Sequence, residues 1–380
     1  MSDEPLPQHE PSVVLELSRR KGAAAVRDSI VGAQRVAAPY VTMTRIALAR
    51  LGRDRMARAG VLVLACLALV AVFADVLASD RPIACRWHGV VYVLPDVTHP
   101  AALAGVDTAA MLRDRGPGDW VLSPLVAYGP TEVGKESDSM LAPLSPGHPF
   151  GTDALGRDVF ARVVHGARTA LGLGLAASLV LVAIGVALGG LAGFVGGVVD
   201  SLVSRAVESL TAIPTLVLVL VVGALVPHPT TATLLWTIAL TRWTELARLV
   251  RAEVLRGLGE DYATAARALG ASPARVLLRH VMPNAIGPAL VAAAFGVASV
   301  VLLEAAVDFL RVGSPDTMAS WGESMGEARV STGAWWLIVF PGAALLATLV
   351  SLNLVGEAAR DALDPKLRGV SSDLGGGAGG

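Results

Sequence analysis

Residues 261–284 read DYATAARALGASPARVLLRHVMPN. This stretch is polar and basic, yet long apolar runs lie on either side of it. Tyr262, Ala265, Ala266 and Leu269 stand at i, i+3, i+4 and i+7, so a helix puts them on one face and leaves Glu260, Asp261, Thr264 and Arg267 on the other. Gly270 then supplies a helix end. Ser272 can cap a new helix by accepting a backbone N–H, and Pro273 falls in its first turn, where a missing donor costs nothing. The spacing predicts a second helix that runs to Met282 and stops at Pro283. One reading is an amphipathic linker lying on anionic headgroups through Arg267, Arg275 and Arg279. A free-standing loop, however, needs no such precision.

The surroundings of the hairpin fix the class of protein. Of 380 residues 53% are hydrophobic and 17% charged, and the mean hydropathy is +0.59, too apolar for a soluble domain of this length. The chain reads as a polytopic membrane protein. A formal net charge of -1 gives a nucleic acid no electrostatic footprint. Cys66 falls inside an apolar run and Cys85 just beyond it, a poor placement for a disulfide, and no Cys/His cluster has ligand spacing, so neither a metal nor another cofactor is expected. The first 40 residues contain no apolar h-region, so the first span is expected to serve as its own uncleaved anchor.

Six stretches match the roughly 20 residues needed to cross a core of about 30 Å. They lie near 60–78, 169–190, 207–226, 230–250, 285–303 and 335–356. The fourth is the weakest, because LTRWTELARLV (240–250) places Arg242, Glu245 and Arg248 in its second half. Ten basic residues precede or flank the first span up to Arg58, and seven lie within 242–284. Both regions are therefore expected inside the cell. The expected organisation is a largely disordered cytoplasmic segment 1–44, a basic flank and first span 45–78, and an extracytoplasmic insertion 79–168 with a small strand-and-loop cap. A membrane core 169–356 holds the hairpin 260–283, and a cytoplasmic tail 357–380 closes the chain. Gly185, Gly189, Gly193 and Gly197 recur every fourth residue, which allows close helix approach either within the chain or against a partner subunit.

AARALGASPARVLLRHVMPN is similar to the cytoplasmic loop of the membrane subunits of bacterial ABC importers, in which a Glu-Ala-Ala triplet is followed by a Gly and, thirteen residues on, a Leu-Pro. Ala265, Ala266, Gly270, Met282 and Pro283 match that spacing, while Thr264 stands at the glutamate's position. HPFGTDALGRDVFARVVHGARTAL (148–171), SLVSRAVESLTAIPTLVLVL (201–220) and LVSLNLVGEAARDALDPKLR (349–368) resemble the C-type subunits of dipeptide, oligopeptide and nickel permeases. SDRPIACRWHGVVYVLP (79–95) is similar to the enlarged outer segment of the oligopeptide and microcin C branch. The resemblance implies an all-α type I importer permease of about six spans. Implied partners are a homologous permease subunit, two cytoplasmic ATPases, an external binding protein and membrane lipid. Coupling to the ATPase then rests on Glu260, Asp261, Thr264, Ala265, Ala266, Gly270, Ser272, His280 and Pro283.

The chain itself lacks a motor. A phosphate-cradling loop ends in Lys-Ser or Lys-Thr, and Lys21, Lys135 and Lys366 are followed by Gly, Glu and Leu. Ionisable residues in or near spans mark a path or gate, which singles out Glu208, Glu245, Glu304 and Asp308. Asp308 and Arg311 can also simply pair at i, i+3. Asp153, Gly156, Arg157 and Asp158 form a motif-like cluster ahead of the second span, either a structural turn or a binding-protein contact. An intramembrane hydrolase needs a nucleophile with a base at membrane depth, and no His falls inside a confident span. A membrane receptor coupled to an ATPase or kinase is the remaining alternative to a transporter.

Overall fold

The computed structural model describes residues 54–106, 108–133, 140–227, 229–312, 318–331 and 333–363, all within one compact unit, Leu51–Gly380. The expectations for the N-terminal segment before residue 54 and for the tail after 363 lie outside the described residues. Among those residues four helices are long and apolar enough to cross a membrane: α1 (Arg55–Val72), α5 (Val159–Val195), the run Pro273–Phe309 and α13 (Trp336–Leu363). A fifth crossing exists if the pair α6 (Gly197–Thr211) and α7 (Thr215–Leu225) counts as one span. Two of the six expected stretches therefore differ from a plain apolar span. The third stretch is broken before Pro214 and bent by 81°. The fourth forms a 29-residue helix, α8 (Thr231–Gly259), whose charged residues keep it out of the apolar class.

The second helix also starts earlier than its apolar run. Asp158 caps α5 by accepting from the Ala161 amide at 2.7 Å, so the helix begins at Val159 rather than near 169. A cap and a helix-compatible sequence extend an element beyond its hydrophobic part. Between α1 and α5 lies the expected strand-and-loop cap. A short helix α2 (Ala74–Leu77) leads to β1 (Ala84–Trp87), β2 (Val90–Val93), α3 (Pro95–Thr98), α4 (Thr108–Arg113) and β3 (Trp120–Leu122). The strands form an antiparallel sheet in the order β2-β1-β3, with Cys85 opposite Tyr92 and Val121. Cys85 is buried with Leu103 and Met111 on one face of this sheet, while Val91, Val93, Trp120 and Leu122 are exposed.

Three of the four spaced glycines face the chain's own α8. A Cβ at Gly185 would meet Leu246 at 2.9 Å, one at Gly189 the Ala247 carbonyl oxygen at 2.4 Å, and one at Gly193 the Arg251 carbonyl oxygen at 2.9 Å. Because 185, 189 and 193 meet 246, 247 and 251 in ascending order, α5 and α8 run side by side in the same direction. Close backbone approach replaces the hydrophobic drive that lipid does not supply. Gly197 has left the stripe, with φ +54 at the start of α6. Gly190 faces elsewhere, where only the flexible end of Met282 lies near a would-be Cβ, at 3.1 Å. Gly190→Ala is expected to change stability by less than about 1.5 kcal/mol, read as an unchanged thermal midpoint in detergent.

Candidate functional site

The polar interruption is built as a hairpin at the end of the bundle away from the sheet. Helix α9 (Asp261–Ala268) follows α8 directly, and Gly270 at φ +80 ends it. The Ala271 amide donates to the Ala266 carbonyl and the Gly270 amide to that of Arg267, both at 3.0 Å, which satisfies the last carbonyls of the helix. Arg267 adds a clasp, its Nη2 donating to the Leu258 carbonyl at 2.6 Å. The hairpin is thus fastened to the end of α8 by its backbone and one guanidinium.

Several details differ from the sequence reading. The inward face is Tyr262, Ala263 and Ala266, joined by Val276 and Val281, while Ala265 is exposed. Leu269 is 88% exposed. It stands at the C-cap, where helical phase has ended, so the i+7 rule no longer applies to it. Ser272 occupies the N-cap position before α10 (Pro273–Val276) with Pro273 in the first turn, but its side chain makes no cap hydrogen bond. The second helix does not stop at Pro283. One turn of π-helix, Leu277–Val281, carries α10 directly into α11 (Met282–Phe309), and Pro283 falls in the first turn of α11.

Glu260, Asp261 and Thr264 are exposed, and His280 and Pro283 are half-buried. Thr264, in the place of the motif glutamate, accepts from Arg267 Nη2 at 3.4 Å. Asn284 donates to the His280 carbonyl at 2.8 Å, and burial pushes the Tyr262 phenol above its ordinary value. With Leu278 also 67% exposed, the tip presents two leucines among polar groups. Sequence periodicity missed this pair, although the Gly directly after Leu269 signals that the leucine caps the helix instead of continuing it.

Of the four candidate path residues, Glu304 and Asp308 meet through their side chains, while Glu208 and Glu245 lie apart from them. Glu304 and Asp308 are each 1% exposed, and Ser320 donates to Glu304 at 3.1 Å. Glu245 lies on the exposed side of α8, 3.3 Å from Arg242. Glu208 lines a cavity between α6 and α8. Arg311 does not pair with Asp308 as the spacing suggested; it reaches Glu327 at 3.2 Å, because Arg311 sits past the helix end with φ +58.

The cluster at 153–158 is a structural turn and more. Asp153 accepts from the amides of Leu155 and Arg157, and Gly156 takes φ +73. Arg157 Nε donates to Asp153 at 2.6 Å, and its Nη2 reaches Glu327 at 2.5 Å and Glu323 at 3.4 Å. Arg162 approaches Glu323 at 2.8 Å and Asp153 at 3.6 Å. These five groups are buried, and they tie the start of α5 to a short helix α12 (Trp321–Glu327). Gly322 and Gly326 let α12 lie directly on the backbone of Ala305 and Phe309 in α11. Trp321 packs on Gly166 and donates to the Val163 carbonyl at 2.8 Å. Burial raises the Glu327 carboxyl above the usual range despite its arginines, and burial likewise raises Asp158, whose partner is His148 Nδ1 at 2.8 Å.

Helices long and apolar enough to cross a membrane, with a polar hairpin fastened at one end, fit a membrane transport subunit. Residues 185–369 match the family described as binding-protein-dependent transport system inner membrane component. The oligopeptide transport system permease protein OppC of Bacillus subtilis is 37% identical over 227 residues, 60% of this chain and 74% of that one. The dipeptide transport system permease protein DppC of the same organism is 37% identical over 60% of this chain and 71% of its own length. DppC of Alkalihalophilus pseudofirmus is 33% identical over 65% and 81% respectively. The chain belongs to this family, as a permease subunit of the OppC/DppC type of ABC importer. It is a non-catalytic, multi-pass membrane protein of transmembrane transport.

Proposed function

We propose that this permease imports peptides or closely related small solutes by alternating access, together with a homologous permease, two cytoplasmic ATPases and an extracytoplasmic binding protein. Its relatives are oligopeptide and dipeptide permeases, which supports that cargo class. In this reading α8 and the bent pair α6–α7 complete six crossings, with both termini and the hairpin in the cytoplasm and the β-sheet insertion outside. The organisation then follows the boundaries given above: 1–44, 45–78, 79–168, 169–356 and 357–380. This reading requires the charges of α8 to face partners or cavities and not lipid, and Arg242 and Glu245 partly answer each other at 3.3 Å.

The observation that carries the reading is the hairpin 260–283. Its buried side continues into α8 and α11, and its exposed side offers Leu269, Leu278, Asp261 and Thr264. Such a rigid, half-apolar tip suits a groove on an ATPase, and its attachment to two long helices suits a lever. Glu260, Ala265, Ala266, Gly270, Ser272, His280 and Pro283 shape or flank that tip.

A crosslinker on Thr264→Cys is expected to capture a Walker-motif ATPase in native membranes. Capture of lipid alone, even in an ATP-trapped state, would return the hairpin to an interfacial linker and favour a non-transporting receptor. A second test uses Gly270, where a side chain meets nothing within 4 Å and only the positive φ resists substitution. Gly270→Val forces a β-branched residue into the left-handed region at about 1–3 kcal/mol, so it is expected to insert normally yet separate ATP hydrolysis from uptake. Gly270→Asn, which tolerates that backbone, is expected to keep uptake near normal. Full uptake by the valine variant would sink the assignment.

A further inference from the structure

We propose that the cavity between α6 and α8 is a cargo-binding site of this chain, taking a small zwitterion with free amino and carboxyl termini. Glu208 would hold the ammonium and Arg248 the carboxylate. The inference rests on the peptide-import reading and deepens it.

The cavity measures about 330 Å³ and is half open, within the roughly 300–1,000 Å³ of small-molecule sites. Val207 and Ala247 give it apolar walls, and Ser204 and Thr211 bring hydroxyls to it. Two arginines of α8 line it, and they stand in different conditions. Arg251 is held by both oxygens of Asp200, the Nη2–Oδ2 contact being 2.6 Å. Arg248 has no carboxylate within 4.0 Å among the described residues.

Eleven residues of α8 follow Arg248 before its end at Gly259, which places it about 17 Å from that end. Arg248 is exposed at the cavity, so in the free chain solvent answers its charge and the guanidinium stays available to an anionic group. Glu208 across the cavity is two-thirds exposed, and among the described residues its ion pair is with Arg205, itself largely exposed, at 3.7 Å, a pairing that solvent weakens to little. The cavity therefore offers one available positive charge and one weakly answered negative charge, separated by an apolar floor. A free-terminal peptide carries the complementary pair. Glu208 is a path candidate that lines this cavity, whereas Glu304 and Asp308 are buried.

The test uses the assembled, nucleotide-free importer in lipid nanodiscs, with Thr211→Cys as reporter in a Cys66→Ser background; the remaining Cys85 is buried. Trialanine is expected to slow maleimide labelling of Thr211→Cys roughly fivefold at saturating concentration, and N-acetyl-trialanine amide to leave the rate unchanged. Arg248→Gln is expected to remove the protection while the complex still elutes as an intact assembly. Should that variant fail to assemble, Glu208→Gln, at an exposed position, serves in its place with the same expected loss.

ATP-driven uptake of trialanine without protection would overturn the site and leave the import reading standing. Absence of both uptake and protection would overturn both. Protection that follows phosphatidylglycerol in place of phosphatidylcholine, with or without trialanine, would assign Arg248 to a lipid phosphate and overturn the site. Protection that survives both charge-removing variants would do the same.

Discussion

Leu269→Asp is expected to reach the membrane at the normal level and to import nothing. The side chain is 88% exposed, so the folded permease makes no use of it and stability should move by no more than about 0.5 kcal/mol. Seated in an apolar groove of an ATPase, the leucine would contribute roughly 1.5–3 kcal/mol of burial. A carboxylate in the same groove loses that contribution and adds the cost of an unpaired charge. Together these weaken docking by at least about a hundredfold. ATP-dependent uptake in proteoliposomes and co-purification of the ATPase read the two halves of this expectation. Leu269→Met should retain both, because it keeps the volume and the apolar character. Retention of the ATPase by the aspartate variant would place the contact elsewhere on the hairpin.

Arg157→Met is expected to produce the largest loss of stability. The guanidinium is 3% exposed at its side chain and touches Asp153, Glu327 and Glu323. Removing it leaves three buried carboxylates with one buried cation, Arg162, and the half-exposed Arg311. Breaking one side of a buried ion pair typically costs about 3–5 kcal/mol, because the partner charge stays desolvated. For a chain of this size that corresponds to a thermal midpoint lower by roughly 4–6 °C, measurable by size-exclusion after heating in detergent. Adding Asp153→Asn and Glu327→Gln to Arg157→Met should restore part of the loss, since the penalty lies in the uncompensated charge and not in the missing contact. A midpoint unchanged in the single variant would mean that water reaches this cluster.

Much of this architecture could be read from the chain, and the limits follow from the range of the interactions involved. The apolar lengths of α1, α5, α11 and α13 are local properties, as is the Gly270-Ala271-Ser272-Pro273 turn. Each is dictated by a handful of consecutive residues. The pairing of Arg157 and Arg162 with Glu323 and Glu327 joins positions more than 160 residues apart, and no periodicity near either end announces it. Gly322 and Gly326 at i, i+4 beside those glutamates were the available sign that a short helix lies close on another backbone. The start of α5 was set by the cap Asp158 and not by hydropathy, so the apolar run alone placed it ten residues late. For the hairpin, the turn was legible, but the outward leucine depended on where helical phase ends. That boundary is decided by the Gly270 backbone conformation, one residue beyond the pattern.

The π turn at Leu277–Val281 has a kinematic meaning. A π turn closes its hydrogen bonds over five residues where the α-helix uses four, so the rod from the hairpin into α11 carries one surplus residue at this point. Converting that turn to α geometry would pass the surplus along the rod, rotating the hairpin by about 100° and advancing it about 1.5 Å relative to α11. The junction between tip and membrane helix is in that sense a screw thread, in which twist at one end is exchanged for displacement at the other.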